Sequence, residues 1–480
     1  MKLVSAIARL CVPLAFVHLS ASGSLAQISP AADGTGTVVN PATLDITGGT
    51  QSGSNLFHSF QQFGLSAGQT ATFLSNPAVQ NILGRVTGGS PSIINGQIQV
   101  TGSTANLYLM NPAGIVFGAN ASLNVPGSFV ATTANGIRLG TEWFSASGPN
   151  NYPALNGTPN ALAFTMSQPA AIVNNGNLSV TRGNQLVLAG GTIASSSPIN
   201  SQGSVVLVAV PGSSIVRLSI PGSPLSLEVE SSSLAASLPN NWTLPIASLP
   251  QLLTGGSAGS AYGLTVGSDG LVRITGSGVT VTNGDVVVNG LIRTFGGAFD
   301  PMPPSDNSVN LYAANKIAVG QIETVGNSVQ LTATGDITAG DIDTGGIDDA
   351  WYSGIAIRSS AGNVQVATLD AGNAGIDVYA NGSFRATGSF STSFFDVRIN
   401  NPSLIEYLTS LGYSRDQLIA EGIPSRTGNL PTSIIARPRN GVTPSIRILT
   451  GNAAQEIANG GGIEIRVDSQ RPFVLGPGFS

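Results

Sequence analysis

Cysteine is all but missing from this chain. Its one copy, Cys11, lies within the first 26 residues, so a chain trimmed there has no disulfide, thiolate metal site or cysteine nucleophile. Histidine is nearly as scarce. His18 belongs to the same leader, and His58 sits between aromatics in Leu56-Phe57-His58-Ser59-Phe60. One histidine cannot build a multi-histidine metal site, and any Ser/His/Asp triad would have to use it. Its neighbours favour a structural histidine on a packed β surface. Charge is the third shortage: 9% of residues are ionic, against about 25% in an ordinary soluble protein. At a formal net charge of −5 the chain lacks the basic footprint of a nucleic-acid binder. Nothing beyond the leader approaches the ~18–20 apolar residues of a spanning helix, so the mature chain is expected to have no transmembrane segment. These grounds assign no catalytic residue, no metal site and no cofactor.

What is present is glycine, 61 residues of it, and 41% hydrophobic residues with Val, Ile and Leu spread along the chain. Ser, Thr and Asn are abundant. This is the composition of a β-rich protein whose surface is polar through hydroxyls and amides rather than ions. Residues 1–26 read as a secretory signal: Lys2 and Arg9 form the positive region, Leu10 to Leu19 the apolar stretch, and Ser24-Leu25-Ala26 the small-x-small cleavage pattern. Its removal takes the formal charge from −5 to −7, because two cations leave and no acid does.

The clearest internal signal is a gapless repeat. Residues 307–326, NSVNLYAANKIAVGQIETVG, and 327–346, NSVQLTATGDITAGDIDTGG, are identical at ten of twenty positions. A period near twenty suits one coil of a β-solenoid. Val309, Leu311, Ile317, Val319 and Ile322 alternate with polar residues, which puts them on one face of short strands. Glycines and Asn-Ser pairs fall where the chain must turn. Three short strands and three corners close a triangular coil, and stacking coils about 4.8 Å apart buries the aliphatics as ladders. Asn307 and Asn327 are expected to stack with their amides bonded along the axis.

Weaker echoes follow: Gly290 to Thr294 matches the close of the repeat, and Asn363-Val364-Gln365-Val366 its opening. Leu178-Ser179-Val180, Leu186 to Leu188 and Val205 to Val210 keep the short-strand rhythm. An all-β sandwich is the competing architecture, and it would show variable turn spacing instead. Residues 231–262 read as a loop off the rod, with a short helix near Ala247 to Leu253. Residues 402–422 carry helical spacing in Leu404, Ile405, Leu408 and Leu411 and predict a helical hairpin.

Residues 55–137 hold the most specific text. The blocks are NLFHSFQQF from Asn55, NILGRVTGGSPSIINGQIQV over 81–100, NLYLMNPAGIVFG over 106–118, and GSFVATTA over 127–134. Asn111-Pro112-Ala113-Gly114 is a strong turn, since Pro presets φ and Gly accepts a positive one. Taken in this order and spacing, the blocks resemble the N-terminal secretion domain of filamentous haemagglutinins, the haemagglutination activity domain of two-partner secretion exoproteins. The N-P-x-G-I signature is Asn111, Pro112, Ala113, Gly114 and Ile115. The family's second signature, N-P-N-L, is matched only in part, by Asn76-Pro77-Ala78-Val79.

That resemblance implies a fold and a route. The fold is all-β: a right-handed parallel β-helix with an N-terminal cap and small extra-helical β elements. The route runs through the periplasm to an outer-membrane β-barrel transporter whose periplasmic recognition domains read the N-terminal domain, and ends in the medium or on the cell surface. The expected order is signal 1–26, secretion domain 27–143, β-helix 144–230, loop 231–262, β-helix with repeats 263–395, helical insertion 396–425 and terminal strands 426–480. The expected activity is adhesion to glycans or cell surfaces. Two other readings stay open: a β-helical polysaccharide lyase or glycosidase using Glu323, Asp341 and Asp343, with Asp348-Asp349 in the adjoining insertion and calcium binding by the Asp341, Asp343, Asp348 and Asp349 region left open, and the carrier part of a contact-dependent toxin system.

Overall fold

The computed structural model describes residues 28–218, 238–254, 264–295, 308–344 and 354–387 apart from 276–277, 372–375 and 383, with strand pieces at 229–231, 390–391, 397–400, 463–464 and 474–475. The leader at 1–26, the helical hairpin at 402–422 and Asp348-Asp349 lie outside the described residues.

The short alternating runs become strands, and the strands stack in parallel. One ladder passes through Asn55–Gln62, Asn81–Val86, Asn106–Met110, Phe129–Thr132, Gln185–Gly190, Ser204–Ala209, Val309–Ala313, Val329–Ala333, Ile355–Ser359 and Ile376–Ala380. A second passes through Ser92–Ile94, Ile115–Phe117, Ala171–Asn174, Thr192–Ser195, Val286–Thr294, Ile317–Thr324, Ile337–Ala339 and Val364–Val366. Asp45–Gly48, Thr70–Leu74, Gln97–Thr101 and Ser122–Asn124 give the early coils their third face. The protein is a parallel β-helix, and its interior is a continuous stack of aliphatic and aromatic side chains from Ile46 and Phe60 to Val378. Each buried Leu, Ile or Val contributes roughly 1.5–3 kcal/mol, so the ladders dominate the rod's stability.

The repeat stacks in the register its alignment predicts. Val309 pairs with Val329 and Leu311 with Leu331; Ile317 pairs with Ile337 and Ile322 with Ile342. The matched glycines mark a corner too tight for side chains: a Cβ on Gly340 would lie 1.9 Å from the Gly320 carbonyl oxygen. Ile292 stacks on Ile322, as the echo at Gly290 to Thr294 implies.

Other expectations are corrected. Val364 stacks on Ile337, the second strand of a coil, while Ile355 takes the place beside Val329. The β-branched Ile355-Ala-Ile run satisfies the same inward pattern earlier in the chain, so Asn363 does not open the coil. Asn327 gives its amide to the Val325 carbonyl at 2.9 Å, and Asn307 lies outside the described residues. An asparagine ladder does exist, but in the early coils. Asn106 Nδ2 donates to Asn81 Oδ1 at 3.0 Å, and Asn81 Nδ2 donates to Asn55 Oδ1 at 2.9 Å.

The chain leaves the rod after Ala209 and returns at Asp285, whose carbonyl accepts from the Ile193 amide. Residues 238–254 belong to that excursion but pack back on the rod, with Trp242 and Leu252 buried against earlier coils. The helix there is Leu249–Thr254. Residues 264–281 form a separate antiparallel sheet of Leu264–Val266, Val272–Ile274 and Thr280–Val281 rather than the start of the later coils. A second antiparallel sheet, Gly136–Leu139, Glu142–Ser145, Pro159–Phe164 and Ser214–Arg217, covers the first ladder from outside. Under it lie Phe57, Leu83, Tyr108, Met110, Val187 and Val208. The first-ladder strands of the early coils are therefore buried on both faces.

The N-terminal end is closed by antiparallel pairing of Thr37–Val39 with Asp45–Gly48 and by one buried cation. Arg85 is 2% exposed. It donates to Asp33 at 2.8 Å, to Ser59 at 3.0 Å and to the carbonyls of Ser145 and Gly148 at 2.7 and 2.9 Å. Burial pushes the Asp33 carboxyl upward, but hydrogen bonds from Ser59, Thr35 and Arg85 outweigh it and hold the group below its ordinary value. This cluster ties the entry segment, the first coils and the covering sheet together. Arg85 is the buried member and Asp33 is partly open to solvent, so removing the carboxylate should cost less than the about 3–5 kcal/mol typical of a fully buried pair.

Candidate functional site

The sequence motif Asn111 to Ile115 forms the corner between Asn106–Met110 on the first ladder and Ile115–Phe117 on the second. Asparagine before proline suits this corner, because its side chain can bond the backbone two residues on and proline presets the next φ. Asn111 Oδ1 accepts from the Ala113 amide at 3.0 Å, and its carbonyl accepts from Gly114 at 3.1 Å. Gly114 has φ +120°, which a side chain rarely tolerates.

The turn is also tied to its neighbours. Asn111 Nδ2 donates to the Ser90 carbonyl at 3.0 Å and to Ser92 Oγ at 2.9 Å in the preceding coil. Its amide donates to the Thr132 carbonyl at 2.9 Å in the following one. One asparagine thus joins three coils. Asn111 and Ala113 are wholly buried, and Pro112, Gly114 and Ile115 are buried with them. The lid is the downstream segment: Ala247 donates its amide to the Ala113 carbonyl at 3.4 Å, and Leu252 packs over Gly114. Sequence reasoning missed this lid, for which the motif carries no local signal. Ser92 was legible only as part of the flanking 81–100 block.

Asn76 and Pro77 lie far from this turn in the chain but repeat its geometry. Asn76 Oδ1 accepts from Ala78 at 3.0 Å and its carbonyl from Val79 at 3.0 Å. Here Asn76, Pro77 and Ala78 are exposed and only Val79 enters the core.

His58 is fully buried, stacked near Phe60 and edge-on to Phe73. Its Nδ1 lies 3.5 Å from Thr37 Oγ1, and Nε2 has no hydrogen-bond partner. Burial drives its pKa down to about 4, so the ring is neutral at pH 7. It is a packed structural histidine.

The acids considered for catalysis lie on the outer surface. Ile342 points inward while Asp341 and Asp343 are exposed. Asp341 accepts from Gln321 at 3.3 Å and from the Thr368 amide at 3.2 Å. Glu323 sits beside Asp343 in register and pairs with Arg293 at 3.1 Å. Among the described residues no group of three His, Cys, Asp or Glu side chains could hold a metal ion, and no helix is long and apolar enough to cross a membrane.

Among solved structures, the HMW1 secretion domain from Haemophilus influenzae is 15% identical, with 79% of this chain and 76% of that chain covered at a TM-score of 0.36. A filamentous hemagglutinin secretion domain is also 15% identical, with 76% and 95% covered at a TM-score of 0.27. No curated protein sequence matches the chain. A family model of the TPS secretion domain matches residues 26–294. That match takes in the Asn111 turn, its lid and the return of the chain to the rod, more than half the sequence, and the chain belongs to the TPS secretion domain family of two-partner secretion exoproteins.

Proposed function

We propose that the Asn111–Ile115 turn is the element through which a dedicated outer-membrane transporter engages this exoprotein, with the exposed Asn76-Pro77 turn as a secondary contact, after cleavage of the signal at 1–26. The supporting observation is the role of Asn111, whose side chain and backbone join three coils. A corner that organises three coils is suited to decide when an emerging chain is committed to folding. The alternative is that the turn acts on export only through the stability of the fold. Export of Asn111→Ala and Pro112→Ala chains, in cells that co-express the cognate transporter, separates the two. The transporter reading expects export to fail while the purified variants keep their β-sheet circular dichroism. Loss of both together would leave folding as the whole explanation.

Once outside, the rod serves adhesion. The bare coils carry Gln330, Thr332, Ala356 and Arg358 outward beside the buried Val329, Leu331, Ile355 and Ile357, and stacking repeats such groups at the strand spacing of about 4.8 Å. Repeated weak hydrogen-bonding sites gain avidity for glycans or cell surfaces. Binding of the purified chain to a glycan array, weakened by substitutions at Thr332 and Arg358, is the expected result. Turnover of polygalacturonate abolished by Asp341→Asn would instead establish the lyase reading.

A further inference from the structure

The excursion between Ala209 and Asp285 carries two sets of strand pairs. Ser214–Arg217 pairs with Pro159–Phe164, and the strands between Leu264 and Val281 pair with one another. Residues 238–254 contain no strand. They are held by Asn240, which bonds Ser145 Oγ at 3.1 Å and the Ser147 carbonyl at 2.9 Å and receives a bond from Asn135 at 2.9 Å. Apolar side chains do the rest: Trp242 and Leu252 are buried, and Leu244 lies over Gly89. Trp242 Nε1 is buried without a hydrogen-bond partner, a cost of the closed arrangement.

The footprint of this segment is shaped for it. A Cβ would lie 2.6 Å from Pro239 at Gly136, 3.1 Å from Leu244 at Gly89, and 2.8 Å from Leu252 at Gly114. Asn111, which shapes the turn beneath, takes no hydrogen bond from the segment. Every hydrogen bond of Asn111 goes to residues 90–132, so the corner is complete before residue 238 is reached.

We propose that residues 238–254 are an exchangeable strap over the secretion turn. With the strap away, the Ala113 carbonyl, the Gly114 floor and the walls of Ala170 and Val116 form a surface for an extended protein segment that offers one backbone N–H and a branched aliphatic side chain. With the strap docked, Ala247 and Leu252 supply those two groups themselves and the surface is sealed. The idea rests on the reading of Asn111–Ile115 as the turn engaged in export. Such a device lets a transporter grip the turn while downstream chain is still inside, and closes the grip once residue 254 has emerged.

Amide hydrogen exchange on the full mature chain tests this. In Leu252→Asp, and separately in Trp242→Ser, exchange over residues 111–117 is expected to rise about tenfold or more, with strands at 185–209 and 309–333 unchanged. A synthetic peptide of residues 244–254 added to Leu252→Asp should restore protection. Unchanged exchange at the turn, a rise shared by all coils, or no effect of the peptide each overturns the strap. Export is a separate readout: if Asn111→Ala is exported normally while the exchange results hold, the secretion reading fails and the strap stands.

Discussion

The turn at Asn76 and the turn at Asn111 share a local design. Each begins with Asn-Pro, each asparagine oxygen accepts from the amide two residues on, and each carbonyl accepts from the amide three residues on. Their surroundings are opposite. Asn76 projects from an uncovered corner, whereas Asn111 spends its amide on Ser90 and Ser92 and lies beneath Ala247 and Leu252. A four-residue motif therefore sets a backbone shape. Its energetic weight comes from the coils above and below and from whatever the chain later lays over it.

Substitutions break this comparison in graded ways. Asn111→Ala strands the Ser92 hydroxyl and the Ala113 amide in a dry interior and removes the bond to the Ser90 carbonyl at its edge, and about 3–4 kcal/mol of stability should be lost in denaturant unfolding. Acid acts next, and on the other turn. His58 packs against Phe73 in the strand that leads to Asn76. Its folded pKa of about 4 lies below the ordinary 6.5. The unfolded chain therefore takes up the proton first, so stability is full above pH 6.5 and falls as pH drops from there towards 4. The loss should reach about 3 kcal/mol, with exchange at 70–79 rising before exchange at 111–117. His58→Leu should flatten that slope. Gly114→Ala forces a side chain into φ +120° and against Leu252, and should cost about 1–3 kcal/mol in thermal or denaturant melts. Asn76→Ala removes one exposed turn bond and should cost about 0.5 kcal/mol or less. A large effect at Asn76, or a small one at Asn111, would show that burial is not what separates the turns.

The later coils were legible because they are bare. In Val329-Gln330-Leu331-Thr332-Ala333 one face meets the core and the other meets water, so period two survives in the text. In Asn106-Leu107-Tyr108-Leu109-Met110 and Ser204-Val-Val-Leu-Val-Ala209 both faces are buried, the run is continuous, and the text does not say which side is inside. Those unbroken runs were themselves a sign of a second layer. The spacing of Asn55, Asn81 and Asn106, each before Leu or Ile, was a readable sign of the early coil length. The register error at Asn363 arose because a Val-polar-Val strand fits any face of a triangular coil.

By itself the sequence determined the coil. Alternating aliphatics, a twenty-residue period and glycines at the corners leave a stacked parallel rod as the way to bury the apolar face and satisfy the backbone at once. It also determined the shape of both Asn-Pro turns, which depends on residues in immediate succession. Only the tertiary structure decided which turn is sealed. Leu252 meets Gly114, and Trp242 enters the outer layer, across more than a hundred residues, through contacts that carry no period. Whether His58, Arg85 and Asn111 are surface or core depended likewise on a second layer of chain, and burial is what gives each its chemical weight.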